Sequence, residues 1–189
     1  MSRANHGSKL RAGPWASTLV TLSGLASAQV SPDEAYRKGK EFAAKQAYVD
    51  AMHWYRIAAE HGNALAEVAV GNLYGQGNGI PQNYAEALRW YRMAAEQGNS
   101  EAENDVGLFY LTGLGVAVNY DEAMPWLRKA AQQGNSVAQR NLGFAYLQGL
   151  GVPQDRAEAI HWLRQAAGHG DEDAKSALES LGAQSPGRQ

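Results

Sequence analysis

The chain has 189 residues, 17 Lys plus Arg against 19 Asp plus Glu, and no cysteine, which excludes disulfides, thiolate metal sites, a cysteine nucleophile and a lipid-modified N-terminal cysteine. Arg3, Lys9 and Arg11 are the only charged residues among the first 28, so the remainder is acidic and lacks the basic stripe that a nucleic-acid surface needs. No apolar run reaches the roughly 18 residues of a membrane-spanning helix, so no integral membrane segment is expected in the mature chain.

Three basic residues precede a short apolar run from Trp15 to Ala26, and Ala26-Ser27-Ala28 closes it. A basic start, an apolar stretch and small-x-small is the layout of a secretory signal peptide, here residues 1–28 with cleavage after Ala28. An exported chain of this type is expected in the bacterial periplasm or beyond. Ser31-Pro32-Asp33-Glu34 then reads as a helix start, with Ser31 as cap and Pro32 in the first helical position. Residues 32–62 form an abbreviated first repeat: AMHWYRIAAEHG, from Ala51 to Gly62, matches ALRWYRMAAEQG, from Ala87 to Gly98, while its first half lacks about four loop residues.

The organising feature follows. AEVAVGNLYGQGNGIPQNYAEALRWYRMAAEQG (Ala66 to Gly98) recurs 36 positions later from Ala102 to Gly134, and again from Ala138 to Gly170. Fixed spacing of this kind is the mark of a helical repeat array. Each full repeat (63–98, 99–134 and 135–170) encodes two helices. The first carries Ala66, Gly71 and Tyr74 and their counterparts. A glycine inside a helix costs about 1 kcal/mol against alanine, so its recurrence as Gly107 and Gly143 requires a close approach of the paired helix. The second helix carries Ala87, Trp90 and Ala94-Ala95 at i, i+3 and i+7, repeated around Trp126 and Trp162, which makes tryptophan the expected large knob among alanine recesses.

Between the helices lie Gly77 and Gly79, Gly113 and Gly115, Gly149 and Gly151. The first of each pair suits the left-handed end of a helix. Asn83 with Glu86, Asn119 with Glu122, and Asp155 with Glu158 have capping-box spacing at the start of each second helix. Residues 171–182 read as an amphipathic capping helix, with Ala174, Ala177, Leu178 and Leu181 on one side, and 183–189 as a disordered tail.

This pattern, A-E-x-x-x-G-x-x-Y-x-x-G-x-G followed by D/N-x-x-E-A-x-x-W-x-x-x-A-A-x-x-G, resembles the Sel1-like repeat family, related in shape to tetratricopeptide repeats. The resemblance spans residues 32–182 of a repeat domain placed at 29–182. It implies an all-α fold, a right-handed α-solenoid of antiparallel helix pairs, acting as an adaptor for protein complexes and in bacteria often exported, regulatory or host-facing. Some exported relatives tie each repeat with a disulfide, which this chain cannot do.

Chemical alternatives fare poorly. The glycine pairs lack the preceding strand and the Gly-Lys-Ser/Thr of a phosphate loop. No G-x-S-x-G, S-x-x-K or H-E-x-x-H is present, so no catalytic residue is expected. His53 and His161 share a repeat position with Arg89 and Pro125, and His61 and His169 share one with Gln97 and Gln133, which reads as exposed, unconstrained sites. His53 and His61 lie about 12 Å apart along one helix, too far to share an ion. No metal or cofactor is expected. His169, near a helix end, would complement the local dipole.

The expected activity is non-enzymatic binding of a protein or peptide on the concave face, built from the first helices. Arg140 and Phe144 are four residues apart and share one side. Their counterparts are Asn104 and Leu108, Val68 and Asn72, Tyr36 and Lys40, and these eight vary in chemistry while the framework does not. The competing reading has Phe144 and Leu108 packing against the neighbouring repeat. Two other functions are distinguishable: a cell-wall protein that binds or modifies muropeptides or β-lactams would show saturable binding or turnover of them. A self-assembling structural protein would show a concentration-dependent oligomer.

Overall fold

The computed structural model describes residues 30–182, and the expected signal peptide and C-terminal tail lie outside them. Among the described residues the chain is entirely helical: α1 Pro32–Ala44, α2 Tyr48–Glu60, α3 Ala64–Gln76, α4 Tyr84–Glu96, α5 Ser100–Thr112, α6 Tyr120–Gln132, α7 Ser136–Gln148, α8 Arg156–Gly168 and α9 Glu172–Ser180. Consecutive helices pack against each other throughout, each first helix (α1, α3, α5, α7) against its second (α2, α4, α6, α8) and each second against the next first. None is long and apolar enough to cross a membrane.

Short polar side chains start the helices. Asn63, Asn99, Asn135 and Asp171 accept from the backbone N–H of Ala66, Ala102, Ala138 and Ala174 at the first-type helices. Asn83, Asn119 and Asp155 do the same for Glu86, Glu122 and Glu158 at the second. Each such bond is worth about 1 kcal/mol, so the array has one at nearly every joint. The reciprocal half of the box is replaced in the second repeat, where Glu86 pairs with Arg89 at 3.0 Å. Gly77, Gly113 and Gly149 end their helices in the left-handed conformation. The second glycine has a different task. A Cβ on Gly115 would stand 2.5 Å from the backbone of Tyr84 and Ala85, and one on Gly151 2.6 Å from the Tyr120 carbonyl. The inter-helix loop of one repeat thus rests on the start of the previous repeat's second helix.

Within each pair the recurring glycine admits a large side chain, but not the tryptophan that the i, i+3, i+7 stripe suggests. A Cβ on Gly71 would lie 2.6 Å from the Tyr91 ring, on Gly107 2.6 Å from Leu127 Cγ, and on Gly143 2.8 Å from Leu163 Cγ. The knob is the residue after each tryptophan. Trp90 is buried, but Trp126 and Trp162 are only partly so, with Lys129 Nζ 4.7 Å above the Trp126 ring. One step along a helix turns the side chain by about 100°, which moves the tryptophan to the rim of the interface. The apolar core runs through the array as linked clusters, from Val68, Tyr91 and Phe109 through Leu127 and Leu142 to Leu163 and Leu178.

Candidate functional site

Polar bonds between helices decide which residues remain for a partner. Glu67 and Glu103 follow the invariant alanine of α3 and α5 and are 2% and 3% exposed. Their carboxylates accept from Gln97 Nε2 at 2.7 Å and Gln133 Nε2 at 2.6 Å, and in the fourth repeat Gln139 Oε1 meets His169 Nδ1 at 2.9 Å. Burial pushes both glutamates up from the usual carboxylate range, although the glutamine donors, and Lys129 near Glu103, pull the other way. Residues 97, 133 and 169 therefore join the end of the second helix to the first, and His169 is neither unconstrained nor merely a dipole partner. His61, in the abbreviated repeat, turns to the Ile57 carbonyl instead.

The eight residues expected to bind a partner divide into two lines. Tyr36, Val68, Asn104 and Arg140 point toward the following repeat or lie in the seam beside it. Asn104 Oδ1 accepts from Asn141 Nδ2 at 3.0 Å, and Val68 is buried in the core. Arg140 forms ion pairs with Asp171 at 3.0 Å and Asp173 at 2.7 Å, fastening α9. The Tyr36 ring lies 5.8 Å from that of Tyr55, and burial, with Glu101 adding to it, raises its hydroxyl. The second line is more open: Lys40 is exposed, Leu108 and Phe144 are half-buried, and Asn72 accepts from the Tyr91 hydroxyl at 2.7 Å.

Next to this second line are residues that sequence reasoning did not single out. Leu65, Glu101 and Val137 occupy one repeat position; Ala69, Asp105 and Asn141 occupy another, four residues on. Leu65 is 50% and Val137 38% exposed. Glu101 is exposed, and Asp105 lies lower, accepting from Asn104 Nδ2 at 3.2 Å. Burial, reinforced by Glu101, pushes the Asp105 carboxyl up to about 6. The signal was present in the sequence as copy-to-copy variation at these positions. α5 and α7 touch across the array, and the bond from Asn141 to Asn104 lies between them. Among the described residues no group of three or more His, Asp or Glu side chains is placed to hold a metal ion.

Comparisons with known proteins agree with this geometry. The family model described as the Sel1 repeat matches residues 25–63, 64–99, 100–135 and 136–171. Among solved structures, a Sel1 repeat protein from Oxalobacter formigenes is similar at TM-score 0.75 and 34% identity, over 82% of this chain and 64% of that one. The c5321 protein, a protective antigen of uropathogenic Escherichia coli with an SLR fold, is similar at TM-score 0.76 and 32% identity, over 89% of this chain and 37% of that one. The chain thus spans less than two thirds of either relative's length. Helicobacter pylori cysteine rich protein B, at 20% identity and TM-score 0.52 over 66% of this chain and 94% of that one, shares the fold alone. No curated protein matches the chain.

Proposed function

The chain belongs to the Sel1 repeat family, whose members are scaffolds for protein interaction, and from that premise we propose that it is an exported, non-enzymatic adaptor holding a protein or peptide along the inner face of its first helices. One observation carries the reading: the framework repeats almost unchanged, while the exposed positions of α3, α5 and α7 run Leu65, Glu101, Val137 and the half-buried ones beside them Asn72, Leu108, Phe144. Packing dictates the former and has no need of the latter's variety. Lys40, Asn72, Leu108 and Phe144 supply the more open part of the face, and Tyr36, Val68, Asn104 and Arg140 its floor and seams. The basic, apolar, Ala-Ser-Ala start supports export, with a mature chain beginning at Gln29.

A photo-reactive residue placed at Leu65 or Leu108, and in control proteins at Arg89 or Arg128 on second helices, tests the face. Incubation with cell-envelope extract should cross-link one partner from the first-helix positions only. Equal capture from the control positions would overturn the reading. N-terminal sequencing of the native protein checks the leader, and a chain still starting at Met1 in the cytosolic fraction would reject export.

A further inference from the structure

We propose that the segment bound on this face carries a lysine or arginine that docks against Glu101 and Asp105, with aliphatic residues on either side seated on Leu65 and Val137. The inference rests on the inner-face reading above and adds the chemistry of the partner.

The argument begins with what the face lacks. Neither α3 nor α5 contains a lysine or arginine, whereas together they carry Glu67, Glu101, Glu103 and Asp105. Glu67 and Glu103 are buried and bonded to glutamines, which leaves Glu101 and Asp105. These two are four residues apart on α5 and so lie together on one side of it. The one cation of α7, Arg140, is already bridged to Asp171 and Asp173. Neither Glu101 nor Asp105 forms an ion pair among the described residues, and the single side-chain bond to Asp105 comes from neutral Asn104. Two like charges side by side, one of them partly buried, form a negative potential that an incoming cation relieves.

The neighbours fix the rest. The position of Glu101 is taken by Leu65 one repeat before and by Val137 one repeat after, both exposed aliphatics. A lysine or arginine has a long apolar stem that lies well on such a surface while its head reaches the carboxylates. Leu65, Glu101 and Val137 follow one another along the array, one per repeat, so a segment laid across the first helices meets them in the order aliphatic, lysine or arginine, aliphatic.

A display library of random nonapeptides selected on the full chain tests this. Selected peptides should be enriched at least fivefold in Lys or Arg at the centre, with aliphatic residues on both sides of it. Their affinity should fall at least tenfold with Glu101→Gln/Asp105→Asn and also with Leu65→Ser/Val137→Ser, both variants melting no lower than the parent by more than a few degrees. Peptides that lack basic enrichment, yet lose binding with Leu65→Ser/Val137→Ser, overturn the charge inference and leave the inner face standing. Selected peptides indifferent to both pairs, or no selected peptides, overturn both.

Discussion

The contact between Gly107 and Leu127 decides whether the repeat is held by the residue after tryptophan. Leu127 is fully buried, and truncation to alanine is expected to cost about 2–5 kcal/mol. For Gly107→Ala two effects oppose each other. Helix propensity favours alanine by about 1 kcal/mol. The new Cβ, however, would sit 2.6 Å from Leu127 Cγ and 2.7 Å from Cδ2, about 1 Å inside ordinary carbon contact. Overpacking of that kind costs about 1–3 kcal/mol, so Gly107→Ala alone should be neutral to destabilising by about 2 kcal/mol. In a Leu127→Ala background both offending atoms are gone, and the nearest remaining neighbour is the Ala123 carbonyl at 3.3 Å. The same substitution should then stabilise by about 1 kcal/mol, and by somewhat more where the methyl fills part of the vacated space. The double-mutant cycle should therefore show a favourable coupling of at least about 1 kcal/mol, read from urea melts followed by tryptophan fluorescence. Additivity to within about 0.5 kcal/mol, the behaviour of distant sites, would refute the contact.

Three further outcomes are expected. Asp105 titrates near 6 in the folded chain against 3.8 as its ordinary value, so its contribution to stability is full below pH 3.8 and is lost as pH rises through 6; Asp105→Asn should raise stability at pH 7 by up to about 3 kcal/mol and leave it unchanged at pH 3.5, as pH-dependent melts will show. Gly115→Ala, with a backbone overlap at 2.5 Å, should cost clearly more than Gly98→Ala, whose Cβ would meet nothing within 4 Å and which bears only the left-handed strain of about 1–2 kcal/mol; equal losses in thermal melts would reject the loop contact. His169→Ala should cost about 1–3 kcal/mol by leaving the buried Gln139 oxygen without its partner, while exposed His53→Ala stays within about 0.5 kcal/mol, and His169→Gln should restore most of the loss.

The helix pairs, their caps and the glycine-rich joints are legible in the sequence because each rests on a local rule that repeats every 36 residues. The details that escape it are rotations and long-range partners. Trp126 and Leu127 are neighbours within one apolar stripe, and only the angle at which α6 meets α5 selects the leucine. Arg140 resembles a free anchoring residue until α9 brings Asp171 and Asp173 to it. The buried bond between residues 67 and 97 joins two side chains that each look like surface residues in isolation. Its trace lies in their joint change: Glu with Gln, Glu with Gln, then Gln139 with His169. Treated as a pair, the histidine ceases to be a casual substitution.

That pairing sharpens the meaning of Asp105. At the buried position after the invariant alanine, a carboxylate is tolerated because a glutamine donor from the second helix always comes with it. Asp105 has no such provision: the equivalent residues are Ala69 and Asn141, both neutral, and its single donor is its own neighbour Asn104. Asparagine would keep the same shape without the desolvated charge, and Asn141 shows that this repeat position accepts it. A charge kept where the fold would be more stable without it belongs with the interactions that a partner completes. Glu101 adjoins it and deepens the same deficit. The stability that Asp105→Asn is expected to gain and the affinity that Glu101→Gln/Asp105→Asn is expected to lose are therefore two consequences of one unpaired charge.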